Sequence, residues 1–235
     1  MQSDGDGMFG PIGRLYEIGG PILVLLMLVS VAVMAAIIFK ALQYRSSKVG
    51  ARSDLQAAAR QLKSGDTAAA HQALSASAHF LAPVFVLGLE LAHGPETTAR
   101  LEAEAEQRLA PLEKGFRFLD IVAQLSPLLG LLGTVIGMIE AFQALQEAGA
   151  QVDPTALAGG IWVALLTTAA GLGVTMPTSI ALAWFEARID AERVGAEYLF
   201  SLIATAPAAG ISAAGTQEVT VQKAALEPAD VQDGA

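Results

Sequence analysis

Thr168, Gly171, Thr175 and Ser179 recur at i, i+3, i+7 and i+11 inside a long uncharged run. At about 100° per helical residue, Thr168, Thr175 and Ser179 fall within about 40° of one another, with Thr167 one step away. Upstream, Gly130, Gly133 and Gly137 recur at i, i+3 and i+7, which places them on one helix face with Thr134 at its edge. Hydroxyls in such a stripe can hydrogen-bond water or a protonatable partner group, but they cannot hold a proton charge at neutral pH. Glycines at this spacing let two backbones approach closely. The same faces can also pack helices with no further role, the Ser and Thr hydroxyls bonding back to their own helix carbonyls. On the residues alone both readings stay open. Ionisable groups inside a bilayer usually mark ion pathways, and the cores of the uncharged runs hold none. If the stripe is a proton path, the titrating group must come from another polypeptide.

Other chemistry is poorly supplied. The 235 residues include no Cys, which excludes a thiolate metal site, a Cys nucleophile and a disulfide scaffold. The three histidines, His71, His79 and His93, match no ligand spacing such as H-E-x-x-H. Glu102, Glu104 and Glu106, with Arg108, read as a solvated helix face rather than a metal site. A net charge of −9 leaves no basic footprint for nucleic acid. No cofactor and no covalent catalysis are expected.

The elements that must position the stripe are set by composition. Hydrophobic residues make up 53% of the chain and charged residues 16%, against roughly 25% charged in soluble domains. The apolar residues cluster in three runs. The first, Ile18–Phe39, is long enough for the roughly 20 residues that cross a bilayer, and it follows an acidic segment carrying Arg14 alone. A signal peptide would need a basic start and a shorter apolar stretch, so a retained spanning helix is expected. The second run lies between Asp120 and Glu140, extendable at both ends, and the third between Asp153 and Glu186. Pro154 suits the start of the third helix, and Pro177 is expected to kink it or mark a weak point. Lys40, Arg45, Lys48 and Arg52 follow the first run, Arg108, Lys114 and Arg117 precede the second, and Arg188 and Arg193 follow the third. The connection Gln146–Asp153 has neither Lys nor Arg. By the positive-inside rule all three runs give one topology, with the N-terminus outside and the C-terminus in the cytoplasm.

The fold class expected is therefore all-α: an integral membrane protein with three transmembrane helices, the second and third extending into the cytoplasm, and a helical cytoplasmic domain. The expected division is an outer N-terminal segment at 1–17, spanning helices at 18–42, 116–147 and 155–186, and a cytoplasmic helical domain at 43–115. An outer hairpin takes 148–154, and a cytoplasmic helix end with a disordered tail takes 187–235. Within 43–115, Ser53-Asp54 reads as a helix start, Gly65 as a stop and Pro95 as a second start. Glu186, Arg188, Asp190, Glu192 and Arg193 are expected to form a cytoplasmic pore rim, or to pair at helical spacing.

Two blocks are more specific. SPLLGLLGTVIGMIEAF (Ser126–Phe142) and GGIWVALLTTAAGLGVTMPTSIALAWFE (Gly159–Glu186) resemble the signature helices of the MotA/TolQ/ExbB proton-channel family, most of all its ExbB and TolQ branches. The resemblance covers the last two apolar segments strongly, the cytoplasmic segment weakly and the tail not at all. It implies a bacterial inner-membrane protein that forms a homopentameric ring around an ExbD/TolR-type single-span partner. The partner's transmembrane Asp carries the proton, and the ring's threonines face it; by motif position these are Thr134 and Thr168. Proton flow would then energise a TonB- or TolA-type protein, ExbB-type service to outer-membrane import standing ahead of TolQ-type service to envelope integrity. A non-conducting membrane scaffold is the rival of a different class. One position departs from the family: many relatives carry Glu where this chain has Val163. Asp153, Glu147 or Glu140 could supply outer negative charge instead, although solvation of a loop is the favoured reading for all three.

Overall fold

The structure, a computed structural model, describes residues 10–50, 53–91, 94–147 and 154–206. Most of the N-terminal segment, the hairpin at 148–153 with Asp153, the tail from 207, Arg52 and His93 lie outside the described residues. Among the described residues there are seven α-helices and no strand: α1 (Gly10–Ser46), α2 (Ser53–Lys63), α3 (Thr67–Ser75), α4 (Ala82–Glu90), α5 (Pro95–Glu113), α6 (Phe116–Glu147) and α7 (Pro154–Thr205). Three stretches are long and apolar enough to cross a membrane: Gly19–Ser46, Phe116–Glu147 and Leu157–Thr205. The protein is an all-α membrane protein.

The lateral faces of these helices explain why. Leu28, Val31 and Phe39 on α1, Leu128 and Ile139 on α6, and Leu165, Met176 and Ile180 on α7 are all exposed. Apolar area on this scale is not left to water in a soluble protein, and lipid or neighbouring protein must cover it. Trp162 and Trp184, also exposed, bracket the apolar part of α7. Twenty-two residues of helix separate them by about 33 Å, close to a hydrocarbon core of about 30 Å. Tryptophans at that separation fit the two interfacial belts.

The chain divides into two compact units. One comprises Met1–Gly50 and Glu106–Gly195, the other Ala51–Ala105 and Ala196–Ala235. In the first, α1 is broken at Gly20, which has φ 65° and ψ −169° and is followed by Pro21. This is a backbone region that only glycine adopts freely, and Pro21 then starts the apolar section where its missing N–H costs nothing. Nothing lies within 4 Å of a methyl group placed on Gly20, so Gly20→Ala tests backbone strain alone. We expect it to cost about 1–3 kcal/mol, read as a lower melting temperature in detergent; an unchanged melt would mean the break is not required. α7, by contrast, continues helically through Pro177.

The end of α5 is held from α1. The last carbonyls of a helix lack intrahelical donors. Lys40, only 4% exposed, donates to Leu112 O at 2.9 Å, Tyr44 Oη lies 3.4 Å from the same oxygen, and Gln43 Nε2 reaches Pro111 O at 3.3 Å. Gly115, at φ 95°, then turns the chain into α6. Lys40 was expected only as a flanking charge; it is a buried cation on a helix C-terminus, where the helix dipole favours it.

The second unit is built like a soluble domain. Leu55, Leu62, Leu74, Leu81, Phe85 and Phe200 belong to one buried cluster, with Phe85 and Phe200 ring centroids 5.3 Å apart. Asp66 caps α3 by accepting from Ala69 N–H at 2.9 Å, after the turn at Gly65 (φ 82°). His79 is buried, and its Nδ1 lies 3.3 Å from Leu81 N, which gives it a structural place.

Candidate functional site

The site lies where α6 and α7 run antiparallel, in the first unit. Ser126, Gly130, Gly133, Gly137 and Ala141 form a buried strip on α6. A methyl group added to Gly130 would stand 3.0 Å from Thr167 O and 3.1 Å from Thr168 Cα. On Gly133 it would meet Thr167 Oγ1 at 2.5 Å, and on Gly137 the Ala164 Cβ at 3.3 Å. From the other side, a methyl on Gly171 would lie 2.5 Å from Ser126 O and 3.2 Å from Gly130 Cα, and one on Gly160 would collide with Ala141. Backbone therefore meets backbone, or a side chain no larger than Thr, over about four turns, a contact that only small residues permit.

Two threonines converge on one carbonyl, that of Gly130, in this contact. Thr168 Oγ1 donates to Gly130 O at 3.2 Å; Thr167 Oγ1 donates to Ala164 O at 2.8 Å and lies 3.4 Å from Gly130 O. The hydroxyls then separate into two sets. Thr167 (1% exposed) and Thr178 (0%), like Ser126 (1%), are buried between helices. Thr134, Thr168 and Thr175 are half-buried and Ser179 is exposed, so these four remain reachable from outside the chain. Thr134 bonds back to Leu131 O at 2.7 Å and Thr175 to Gly171 O at 3.0 Å. Such bonds occupy the hydroxyl hydrogen and leave oxygen lone pairs to accept from water or a partner. Of the five hydroxyls singled out from sequence, Thr167 alone points inward.

Above this contact lies a pocket of about 280 Å³. Tyr16 and Gly20 bound it from α1, Gly133 and Glu140 from α6, Val163 and Thr167 from α7. Glu140 is thus placed on a helix against a pocket rather than in a solvated loop. Glu147 is exposed at the end of α6, and Asp153 is outside the described residues.

Residues 70–197, more than half of the chain, match the MotA/TolQ/ExbB proton channel family. The chain belongs to that family. Biopolymer transport protein exbB1 of Vibrio cholerae serotype O1 is 48% identical over 63 residues, 27% of this chain and 28% of that protein. A putative ExbB-like biopolymer transport protein of Synechocystis is 42% identical over 92 residues, 37% of this chain and 36% of the relative. The Tol-Pal system protein TolQ of Haemophilus influenzae is 36% identical over 95 residues, 40% of this chain and 41% of TolQ. The chain thus matches about a third of the length of these curated relatives.

Within this MotA/TolQ/ExbB chain, the expected cytoplasmic rim is more structural than a free rim would be. Glu192 is 2% exposed and accepts from Gly50 N–H at 2.9 Å. Arg193 grips Glu106 with Nε and Nη2 at 3.2 and 2.9 Å and reaches Glu113 at 2.8 Å, which ties α7 to α5. Arg193 and its partners are partly exposed. We expect Arg193→Ala to cost about 1 kcal/mol at low salt and less in high salt; a loss independent of ionic strength would argue against the ion pairs as its cause. Thr178 and Ser126 were missed from sequence. Thr167, Gly171, Val174 and Thr178 recur at i, i+4, i+7 and i+11, the same helical period that marked the outer stripe, so the signal was present.

Proposed function

We propose that this chain is the ring-forming subunit of a proton-driven motor in a bacterial inner membrane, of the ExbB type, serving TonB-dependent outer-membrane import. The observation that carries the reading is the reachable hydroxyl stripe, Thr134, Thr168, Thr175 and Ser179, on two helices whose facing cores contain no ionisable side chain. Such a surface suits a partner that brings its own acid. The partner is a single-span ExbD/TolR-type protein with a transmembrane Asp, enclosed by a homopentamer of this chain. Thr168 and Thr134 face that Asp, accept from its protonated form and stabilise its passage between two water-filled ends. The glycine contact keeps the wall thin and stiff. The Lys and Arg distribution supports a periplasmic N-terminus and a cytoplasmic C-terminus.

The likeness to the biopolymer transport proteins favours import, and the likeness to TolQ supports a second reading, service to a Tol-Pal system. Proteoliposomes containing the chain and its single-span partner test the shared core: proton uptake should require both proteins and an imposed gradient. An assembled complex that passes no protons would sink the channel reading and favour the scaffold. Complementation then separates the branches. Rescue of iron-siderophore uptake in an exbB-deficient host supports the first, and rescue of outer-membrane integrity in a tolQ-deficient host the second.

A further inference from the structure

We propose that Glu140 is the ionisable side chain of a lateral proton inlet, the pocket enclosed by α1, α6 and α7 at the outer end of the helices. The inference rests on the proton-channel reading above and adds to it a way in from the side of the hairpin. Glu140 is the one carboxylic side chain among the described residues lining the pocket. It is also the first charged residue on α6 after Asp120. Twenty residues of helix put it about 30 Å from Asp120, at the far edge of a hydrocarbon core, where a carboxylate stays hydrated at little cost. Trp162, next to Val163 on the opposite wall, marks the same level.

The pocket has room for several waters and polar groups for them to bond. Its entrance side is shaped by the break at Gly20, which bends α1 where a straight helix would continue. Its floor is Thr167, about one turn deeper than Val163. Thr167 and Thr168 both approach Gly130 O, so the floor and the reachable stripe meet at a single carbonyl. In operation the Glu140 carboxylate takes a proton from hydronium on the outer side, becoming a neutral acid and leaving water. It then releases that proton to pocket water and returns to the carboxylate, with no net change in the chain.

Two experiments test the inlet. In proteoliposomes with the single-span partner, Glu140→Gln should lower proton flux on the order of tenfold or more, while Glu147→Gln, outside the pocket, should not. Adding Val163→Glu to Glu140→Gln should restore flux, because it returns an acid to the same pocket from the opposite wall. Normal flux in Glu140→Gln overturns the inlet and leaves the proposed function standing, whereas a silent wild type overturns the function itself. The second experiment needs no conduction. The chain has no Cys, so single cysteines can be placed in the native sequence. In spheroplasts, Glu140→Cys and Val163→Cys should react with a membrane-impermeant cationic thiol reagent added outside. Protection of both in the assembled complex would refute an outward-facing inlet.

Discussion

Gly171→Ala is expected to destabilise the protein by roughly 2–4 kcal/mol, while Gly173→Ala, two residues along the same helix, is expected to be neutral or stabilising. The new methyl at 171 would lie 2.5 Å from Ser126 O and 3.2 Å from Gly130 Cα. Both neighbours are backbone, so no side chain can rotate away and α6 must move back from α7. That movement also stretches the bond from Thr168 to Gly130 O, worth about 0.6 kcal/mol in a membrane protein. At 173 nothing lies within 4 Å, and Ala is the better helix former by about 1 kcal/mol. Thermal melts of the two purified variants, followed by tryptophan fluorescence, should separate, the Gly171→Ala midpoint falling and the Gly173→Ala midpoint staying level or rising. Equal shifts would mean that α6 and α7 do not meet through this strip.

Thr168→Val should lower partner-dependent proton flux on the order of tenfold or more and change stability by less than about 1 kcal/mol. The two side chains have nearly the same shape, so the half-buried position stays filled. What disappears is the hydroxyl: its bond to Gly130 O at 3.2 Å and the lone pairs it turns toward the reachable side of α7. Thr168→Ser, which keeps the oxygen and drops a methyl, should retain most of the flux. The readout is proton uptake in proteoliposomes, with complex assembly checked by size. Wild-type flux in the Val variant would return Thr168 to a packing role, and loss in both variants would point to shape rather than hydrogen bonding.

The three long helices were legible because hydrocarbon sets a length, and three strongly apolar uncharged stretches meet it. The glycine face of α6 was legible because Gly130, Gly133 and Gly137 keep helical spacing. Harder to see was α4: APVFVLGLE is a short apolar run with no period, and such runs do not distinguish a buried helix from a strand. The break at Gly20 left only a Gly-Pro pair, which marks many kinds of turn. Inward and outward hydroxyls could not be separated either, because Thr167 and Thr168 are adjacent and only the partner helix decides which is covered. Lys40 read as a flanking charge and Glu192 as part of a charged rim; their burial depends on Leu112 and Gly50, far away in the chain. Glu140 was counted with loop acids because α1, which completes its pocket, is more than a hundred residues distant in sequence.

The glycine contact between α6 and α7 also limits where the machine can move. A joint made of side chains can slip from one set of rotamers to another. A joint made mostly of backbone has few rotamers to exchange, and sliding by even one residue would drive Thr167 or Ala141 into the opposing main chain. The two helices must therefore travel as one bar. In the proposed motor, any rotation or tilt that accompanied proton passage would have to be taken up at slip surfaces around that bar, with the outer apolar flanks and the hydroxyl stripe as its bearings.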